Sequence, residues 1–371
     1  MSYQPDTFGM VVEMPTLKVA VAMSGGVDSS VAAFLLRQQG YDVAGVTHQI
    51  WFQEEQSFEV NRGTDAIDCS RIVADKIGIP HYVIDLRNEF IQEVVVPFCE
   101  AYENGRTPNP CVWCNQMIRF GTMLRRLKSL GFDFMATGHY ASVEKEDGCY
   151  YIKKAYDQSK DQSYFLYTLG QEELRYILLP LGSYLKTQVR QIARELSLPN
   201  ADREESQDIC FIRGDYRDFI KRFVNLEPGD IVDVNGKILG RHEGLALYTI
   251  GQRHGMGISS NEPLYVVRLD KKENRLVVGT REYLYSKILL VKGINWISGR
   301  APEFPCKVTA KVRYKAPESE ATLFEYANGV RVVFKEPQMA VTPGQSVVFY
   351  TGNFMVGGGI IEEVAIDYAF T

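Results

Sequence analysis

The stretch that most limits what this chain can fold into is Leu17–Ser30, LKVAVAMSGGVDSS. A short apolar run, Val19–Met23, meets Ser24-Gly25-Gly26-Val27-Asp28-Ser29. A segment with helical spacing follows through Val31, Phe34, Leu35 and Leu36 and stops at Gly40. That order reads as a buried strand, a tight turn and a helix. Glycines let the backbone turn sharply and approach a ligand closely. A helix start offers unpaired N–H groups and a partial positive charge, which suits a phosphate. No Gly-Lys-Ser/Thr follows, so this is not the Walker loop. The bland alternative is an ordinary strand–helix turn with Asp28 as cap; the length of the run, placed after a strand, weighs against it.

The alternation continues. Asp42–Ile50, Pro80–Leu86 and Phe134–Thr137 read as strands, Thr64–Ile77 and Ile118–Leu130 as helices, and Asn88 as the cap of a helix over Phe90, Val94, Val95 and Phe98. Strands alternating with helices predict an α/β fold, a doubly wound parallel sheet with its ligand at the carboxyl ends of the strands. Trp51–Gly63 is polar and acidic, a surface loop placed to help close that site. The pattern changes from Tyr140. Val143–Ala155 reads as a hairpin around Asp147-Gly148, and Tyr164–Leu169, Leu185–Leu196 and Asp215–Val224 read as helices. From Gly229 onward, short alternating segments separated by glycine, asparagine and proline predict a small, mostly β central module and a C-terminal antiparallel β-barrel. The expected division is 1–16 as an N-terminal extension, 17–213 as the catalytic domain, 214–283 as the central domain and 284–371 as the barrel.

Composition narrows the class. The chain has 371 residues, 45% hydrophobic and 23% charged, which suits a globular core. No apolar run is long enough for a membrane span, and residues 1–16 lack the basic and apolar regions of a signal peptide. A cytoplasmic protein is expected. The net charge of −5 gives no global attraction to a polyanion. Between Lys287 and Lys315, however, stand seven basic residues (Lys287, Lys292, Arg300, Lys307, Lys311, Arg313, Lys315) and one acidic residue, Glu303. A basic barrel face with Tyr314 interleaved suits RNA phosphates and a stacked base. Arg125, Arg126 and Lys128 read as the wet side of a helix.

Seven cysteines include a close pair in RTPNPCVWCN, Cys111 and Cys114. Two prolines hold the preceding residues extended. The pair is expected just before a helix, whose positive end lowers a thiol pKa. A single CxxC is compatible with a redox pair, half a zinc site, part of an iron–sulfur site or chance. No second CxxC is present, and no histidine stands at zinc-finger spacing from it. Cys210, in ESQDICFI, reads either as a buried core thiol or as a third reactive cysteine.

Taken together, SGGVDS, RTPNPCVWCN, ATGHYA, KDQSYFLY, SQDICFI, TIGQRHGMGI, EPLYVV, VRYK, TPGQSVVFY and GGGII run in order from Ser24 to Ile361. This series resembles the bacterial tRNA-uridine 2-sulfurtransferases, the wobble-position 2-thiouridylases of the PP-loop N-type ATP pyrophosphatase superfamily. The resemblance implies ATP on Ala22, Met23, Ser24, Gly25, Gly26, Val27, Asp28 and Ser29, with His48 and Gly138 as further contacts and Mg²⁺ as the cation. It implies Cys114 as nucleophile and Cys210 as persulfide carrier, ending as a Cys114–Cys210 disulfide. It implies the anticodon region of tRNA on Asn109, Pro110, Cys111, His139, Lys160, Asp161, Gln162, Arg313, Tyr314 and Gln345, a persulfide relay protein as sulfur donor, and a monomer. Two positions depart from the family pattern. Cys111 stands where aspartate is common, so Cys111, Cys114 and Cys210 form an alternative ligand set for a [4Fe-4S] cluster. His48 stands where methionine is common in the adenine pocket. Rival readings are another PP-loop adenylating synthetase, a 4-thiouridine synthetase, and a non-catalytic RNA-binding or sulfur-trafficking protein.

Overall fold

A computed structural model describes residues 16–50, 62–204, 209–212 and 214–365. Most of the expected extension, residues 51–61 of the expected loop, and Ser206–Asp208 of the SQDICFI run lie outside the described residues. Strand β1 (Lys18–Ala22) is buried but for its first residue and runs into helix α1 (Val27–Gln38). Then follow β2 (Asp42–Gln49), α2 (Arg62–Ile77), β3 (His81–Asp85), a helix α3 over 87–103, a helix α4 over 110–129 and β4 (Phe134–Thr137). A hairpin of β5 (Ala141–Glu146) and β6 (Cys149–Lys154) comes next, then the short β7 (Ile177–Leu178) and α5 (Lys186–Glu195). Strands β3-β2-β1-β4-β7 form one parallel sheet in that order. The chain leaves β1 toward β2 on one side, and β4 returns on the other. The crevice where the order reverses is where doubly wound sheets take ligands.

Helix α6 (Tyr216–Phe223) leads to a four-stranded sheet of β8 (Gly229–Asp233), β9 (Ile238–His242), β10 (Tyr265–Asp270) and β11 (Arg275–Gly279), ordered β10-β11-β8-β9. The last six strands are β12 (Tyr285–Trp296), β13 (Cys306–Lys311), β14 (Ser319–Tyr326), β15 (Gly329–Met339), β16 (Ser346–Thr351) and β17 (Phe354–Ala365). They are antiparallel, and the β12–β17 pairing closes them into a barrel. Closure removes the open edges that would invite aggregation. The barrel has its own core, including Leu289, Leu323, Val332, Phe334 and Phe349. The two faces of the parallel sheet are covered by separate clusters; one of them runs on through Tyr164 and Tyr350 into the barrel's outer side. Among the described residues, no helix is long and apolar enough to cross a membrane.

The structure differs from the sequence expectations at five places. Helix α3 begins at Arg87 after Leu86, so Asn88 lies inside its first turn and is not its cap. Helix α2 begins at Arg62, which shortens the acidic loop. Helix α4 begins at Pro110, so Cys111 and Cys114 are helical and do not precede the helix. Proline is suited to a first helical position because its missing N–H is not needed there. Tyr164–Leu169 is a single 3₁₀ turn over Ser163–Leu166, pinned because Tyr164 and Leu166 are fully buried. The β5–β6 hairpin, expected to belong to the catalytic domain, extends the barrel sheet through Lys153 opposite Phe354.

Candidate active site

The phosphate loop sits at the end of β1. Gly25 has φ +72, a left-handed conformation that favours glycine, and a Cβ there would meet the Ala66 backbone at 3.0 Å. Its carbonyl accepts from Asn200 Nδ2 at 3.0 Å, Cys69 Sγ at 3.4 Å and Arg203 Nη1 at 3.4 Å. Gly26 caps α1, and its carbonyl accepts from the hydroxyls of Ser29 (3.1 Å) and Ser30 (3.0 Å). The Ser24 N–H donates to Ser29 Oγ at 3.2 Å. Ala22, Met23, Val27 and Ser29 are buried beneath the loop, while Ser24 is exposed. A cleft of about 420 Å³, lined by Asp65, Cys69 and residues 198–203, flanks the loop and does not include Cys111, Cys114 or Cys210.

Gly138 follows β4 across the crevice. A Cβ there would stand 2.6 Å from Ser29 N and 2.7 Å from Asp28 C, so only glycine lets β4 approach the first turn of α1. That turn holds a partly buried charge pair which sequence reasoning missed. Lys186 Nζ donates to both carboxylate oxygens of Asp28, at 2.6 and 2.8 Å, and Tyr140 Oη donates to Asp28 Oδ1 at 2.9 Å. Lys186 is 7% exposed. It occupies the first position of α5, where the helix dipole disfavours a cation. A lysine so placed has a partner elsewhere, and that was the readable signal.

A second missed residue organises the thiols. From Cys114 to Met123, helix α4 is wound in the wider π form, with i→i+5 bonds. Such segments are frequent at functional sites. Arg119 Nη1 donates to buried Asn115 Oδ1 at 2.5 Å, and Asn115 Nδ2 donates to the Phe165 carbonyl at 3.2 Å. The Arg119 charge acts on His48, His139, Cys111, Cys114 and Cys210. Groups at the ends of β2 and β4, on α4 and in the Cys210 segment therefore all feel one guanidinium. Its sequence signal was a lone charge between two core residues, Ile118 and Phe120.

Cys111 and Cys210 keep exposed surface, yet both lie in a recess crowded by protein atoms. Burial, followed by the neighbouring Cys114, pushes Cys111 up to about 11, with Arg119 opposing. Burial also raises Cys114, and it raises Cys210 further, with Cys114 and Cys111 adding to the effect. The expected lowering by a helix start is overturned because loss of water outweighs the dipole. All seven cysteines are free thiols. Among the described residues, no group of three or more His, Cys, Asp or Glu is arranged to hold a metal ion. The three thiols thus do not fit an iron–sulfur ligand set in this conformation. Cys210 is held by the next residue, Phe211, whose ring packs edge-on against Phe90, Phe98 and Phe219 at 5.2–5.7 Å.

The two histidines are kept neutral. Burial, with Arg119 adding, lowers His48 to about 3 and His139 to about 3. His139 Nδ1 is 2.7 Å from Thr137 Oγ1, whereas His48 Nδ1 is buried without a partner among the described residues. An orphaned ring nitrogen at the end of β2 fits a hydrogen bond to a bound nucleotide.

The residues expected to meet RNA divide in two. Arg313 is exposed, and Tyr314 packs on Phe165 with ring centroids 4.4 Å apart. Lys160, Gln162 and His139 are each half-buried, and Gln162 Oε1 accepts from Tyr140 N, next to His139, at 3.0 Å. Asn109 is half-buried and Pro110 is buried. Asp161 is turned inward. It is 5% exposed, and its carboxylate accepts from Ala155 N at 3.0 Å and Ser163 Oγ at 2.8 Å, so that side chain faces inward. Gln345 spends its amide on protein: Nε2 donates to the carbonyls of Thr107 and Pro108, each at 3.0 Å. Arg126 bonds the Asp85 carbonyl at 2.8 Å and pairs with Glu89, and Lys128 lies 3.6 Å from the Tyr176 ring centroid.

A parallel sheet with a phosphate loop at its switch point, facing a thiol-bearing helix and joined to a closed barrel, defines a nucleotide-binding α/β protein of the PP-loop class. Residues 17–214 match the family model described as tRNA methyl transferase HUP domain, 217–280 the tRNA methyl transferase PRC-barrel domain, and 286–361 the aminomethyltransferase beta-barrel domain. The chain is 47% identical over 359 residues to the tRNA-specific 2-thiouridylase MnmA of Acetivibrio thermocellus, covering 94% of this chain and 100% of that one. It is 47% identical over 354 residues to the MnmA of Moorella thermoacetica, covering 93% and 99%. The chain belongs to the family of tRNA-specific 2-thiouridylases.

Proposed function

We propose that the protein converts the wobble uridine of tRNA to 2-thiouridine, using ATP to activate the C2 oxygen. The observation that carries this reading is the chain of contacts from the phosphate loop to the thiol-bearing helix: Gly138 abuts Ser29, and the ring of the next residue, His139, lies 6.0 Å from the Phe120 ring of α4. ATP lies with its phosphates at the start of α1 and its base toward His48. The uridine C2 oxygen attacks the α-phosphorus, pyrophosphate leaves, and a poor leaving group becomes AMP. Lys186 lies beside this departure and can exchange Asp28 for a phosphate oxygen. Mg²⁺ fits here, because the Asp28 carboxylate, its side chain 30% exposed, is a hard oxygen donor; the ion would neutralise charge on the departing pyrophosphate.

A cytoplasmic relay protein supplies Cys210 with a sulfane sulfur. The terminal sulfur attacks C2, AMP leaves, and RNA is joined to Cys210 through a disulfide-type link. The Cys114 thiolate attacks Cys210 Sγ, which releases 2-thiouridine and leaves a Cys114–Cys210 disulfide. An external dithiol returns two electrons. The thiols start protonated, so a reaction partner must take each proton as sulfur attacks. A methyl transfer, suggested by the family model's description, would give the phosphate loop no task.

The test is a reconstitution with ATP, Mg²⁺, a protein persulfide and unmodified tRNA, with 2-thiouridine and AMP measured. Cys114→Ala and Cys210→Ala should each abolish product. Full turnover by both variants would overturn the mechanism. An iron count on the same preparation decides the cluster alternative.

A further inference from the structure

The segment that leads into the cysteine turn, 106–109, belongs to the catalytic domain by sequence but is gripped by the barrel. The Thr107 N–H donates to the Pro343 carbonyl at 3.1 Å. The Gln345 amide takes the Thr107 and Pro108 carbonyls, each at 3.0 Å. A Cβ at Gly344 would stand 2.9 Å from Thr107 O, so the barrel loop touches this strap backbone to backbone. Arg106 Nη1 reaches Glu362 on β17 at 2.8 Å, 256 residues along the chain, with both side chains partly shielded from water (37% and 24% exposed). The far side of the turn is held as well. Asn115 donates to the Phe165 carbonyl, and the Phe165 ring packs on Tyr314 of the barrel. Cys111 and Cys114 thus lie between two barrel-anchored points.

We propose that Arg106 and Glu362, with the Gln345 amide, are positioning residues that fix the Cys111–Cys114 turn relative to the barrel, so that RNA seated on the barrel and the thiols are held in one register. The consequence for sulfur transfer rests on the function proposed above; the mechanical claim does not. Displacing a nucleophile by about 1 Å can lower a rate a hundredfold, and these contacts hold the backbone on both sides of the turn. None of them touches the phosphate loop.

The test uses the full chain with Arg106→Met, Arg106→Lys and Glu362→Gln. The first readout is the rate of Cys111 and Cys114 alkylation by iodoacetamide, followed by mass spectrometry with and without tRNA, and it needs no thiolation. Arg106→Met and Glu362→Gln should speed alkylation about tenfold without tRNA and weaken any effect of tRNA on it, while ATP affinity stays at the wild-type value. The second readout is turnover: kcat should fall about tenfold to a hundredfold, KM for tRNA should move less than threefold, and Arg106→Lys should restore most of the loss. A merely structural role would lower ATP affinity and turnover together and would not separate kcat from KM. Wild-type alkylation rates in both Arg106→Met and Glu362→Gln would overturn the proposal. If Arg106→Met does not fold, Glu362→Gln reads the same pair from the barrel. Wild-type protein that makes no 2-thiouridine, yet shows the predicted alkylation pattern, would remove the functional reading and leave the positioning claim standing.

Discussion

The phosphate loop and the cysteine turn are prepared differently. Around the loop, the Gly25 carbonyl is satisfied by three side chains, and the Asp28 carboxylate is already paired with Lys186 and Tyr140. Fixed dipoles of this kind act on developing charge without reorganising. The thiols are the opposite. Crowding by protein atoms raises all three above the usual thiol range, against the pull of Arg119. One half is set before its ligand arrives, and the other is held back. That difference suits a reaction in which an activated oxygen must exist before sulfur is spent. It also implies that substitutions should divide cleanly between the halves.

The largest expected effect is on the prepared half. Lys186→Met removes the cation that Asp28 holds and leaves a partly buried carboxylate beside the phosphates. Turnover at saturating tRNA should fall about a hundredfold, with alkylation of Cys111 and Cys114 unchanged. Altered thiol reactivity in this variant would show that the two halves are not separable. Gly138→Ala comes next. The added carbon must displace the first turn of α1, which costs about 1–3 kcal/mol, and ATP affinity measured by calorimetry should weaken roughly tenfold. Unchanged affinity would mean that β4 yields and the crevice is softer than the 2.6 Å approach indicates.

The unequal preparation explains what the sequence made legible. The phosphate loop is local: strand, turn and helix are contiguous, and the glycines and serines that build it announce it. The barrel strands were legible for the same reason, because alternation is a short-range pattern. The Lys186–Asp28 pair spans 158 residues, and the Arg106–Glu362 pair 256, and no periodicity reports such distances. The hairpin's membership in the barrel sheet depends on one edge pairing, Lys153 with Phe354, that leaves no trace in either segment alone. The thiol protonation state was misread because the sequence displays the helix start but not the crowding of the recess. The inward turn of the Asp161 side chain, through Ala155 and Ser163, was not legible because a charged residue buried by its own loop looks like an exposed polar run.

Arg119→Gln probes the half that is held back. Removing this charge, the one among the described residues that opposes burial, should raise all three thiols further and slow their alkylation at pH 8 several-fold. Arg119→Lys should retain most of the rate. Equal rates in Arg119→Gln and wild type would mean that the guanidinium serves only to bond Asn115.

The smallest effect concerns acid stability, and its sign follows from the two neutral histidines. His48 and His139 are lowered to about 3 in the folded chain, against 6.5 when unfolded. Above pH 6.5 neither state binds a proton at these rings, and their contribution to stability is complete. As pH falls below 6.5 the unfolded chain takes up protons that the folded chain refuses. Stability therefore declines toward pH 3, by at most about 1.4 kcal/mol per pH unit for each histidine. Between pH 6.5 and 5 few carboxylates titrate, so that window isolates the histidines. Thermal unfolding of wild type should show a midpoint that drops across it, and His139→Asn, which keeps a partner for Thr137 without a titrating ring, should show a shallower drop. Parallel curves would place the acid sensitivity elsewhere, with His48 and also His81 and His242, lowered by burial, as the remaining sources.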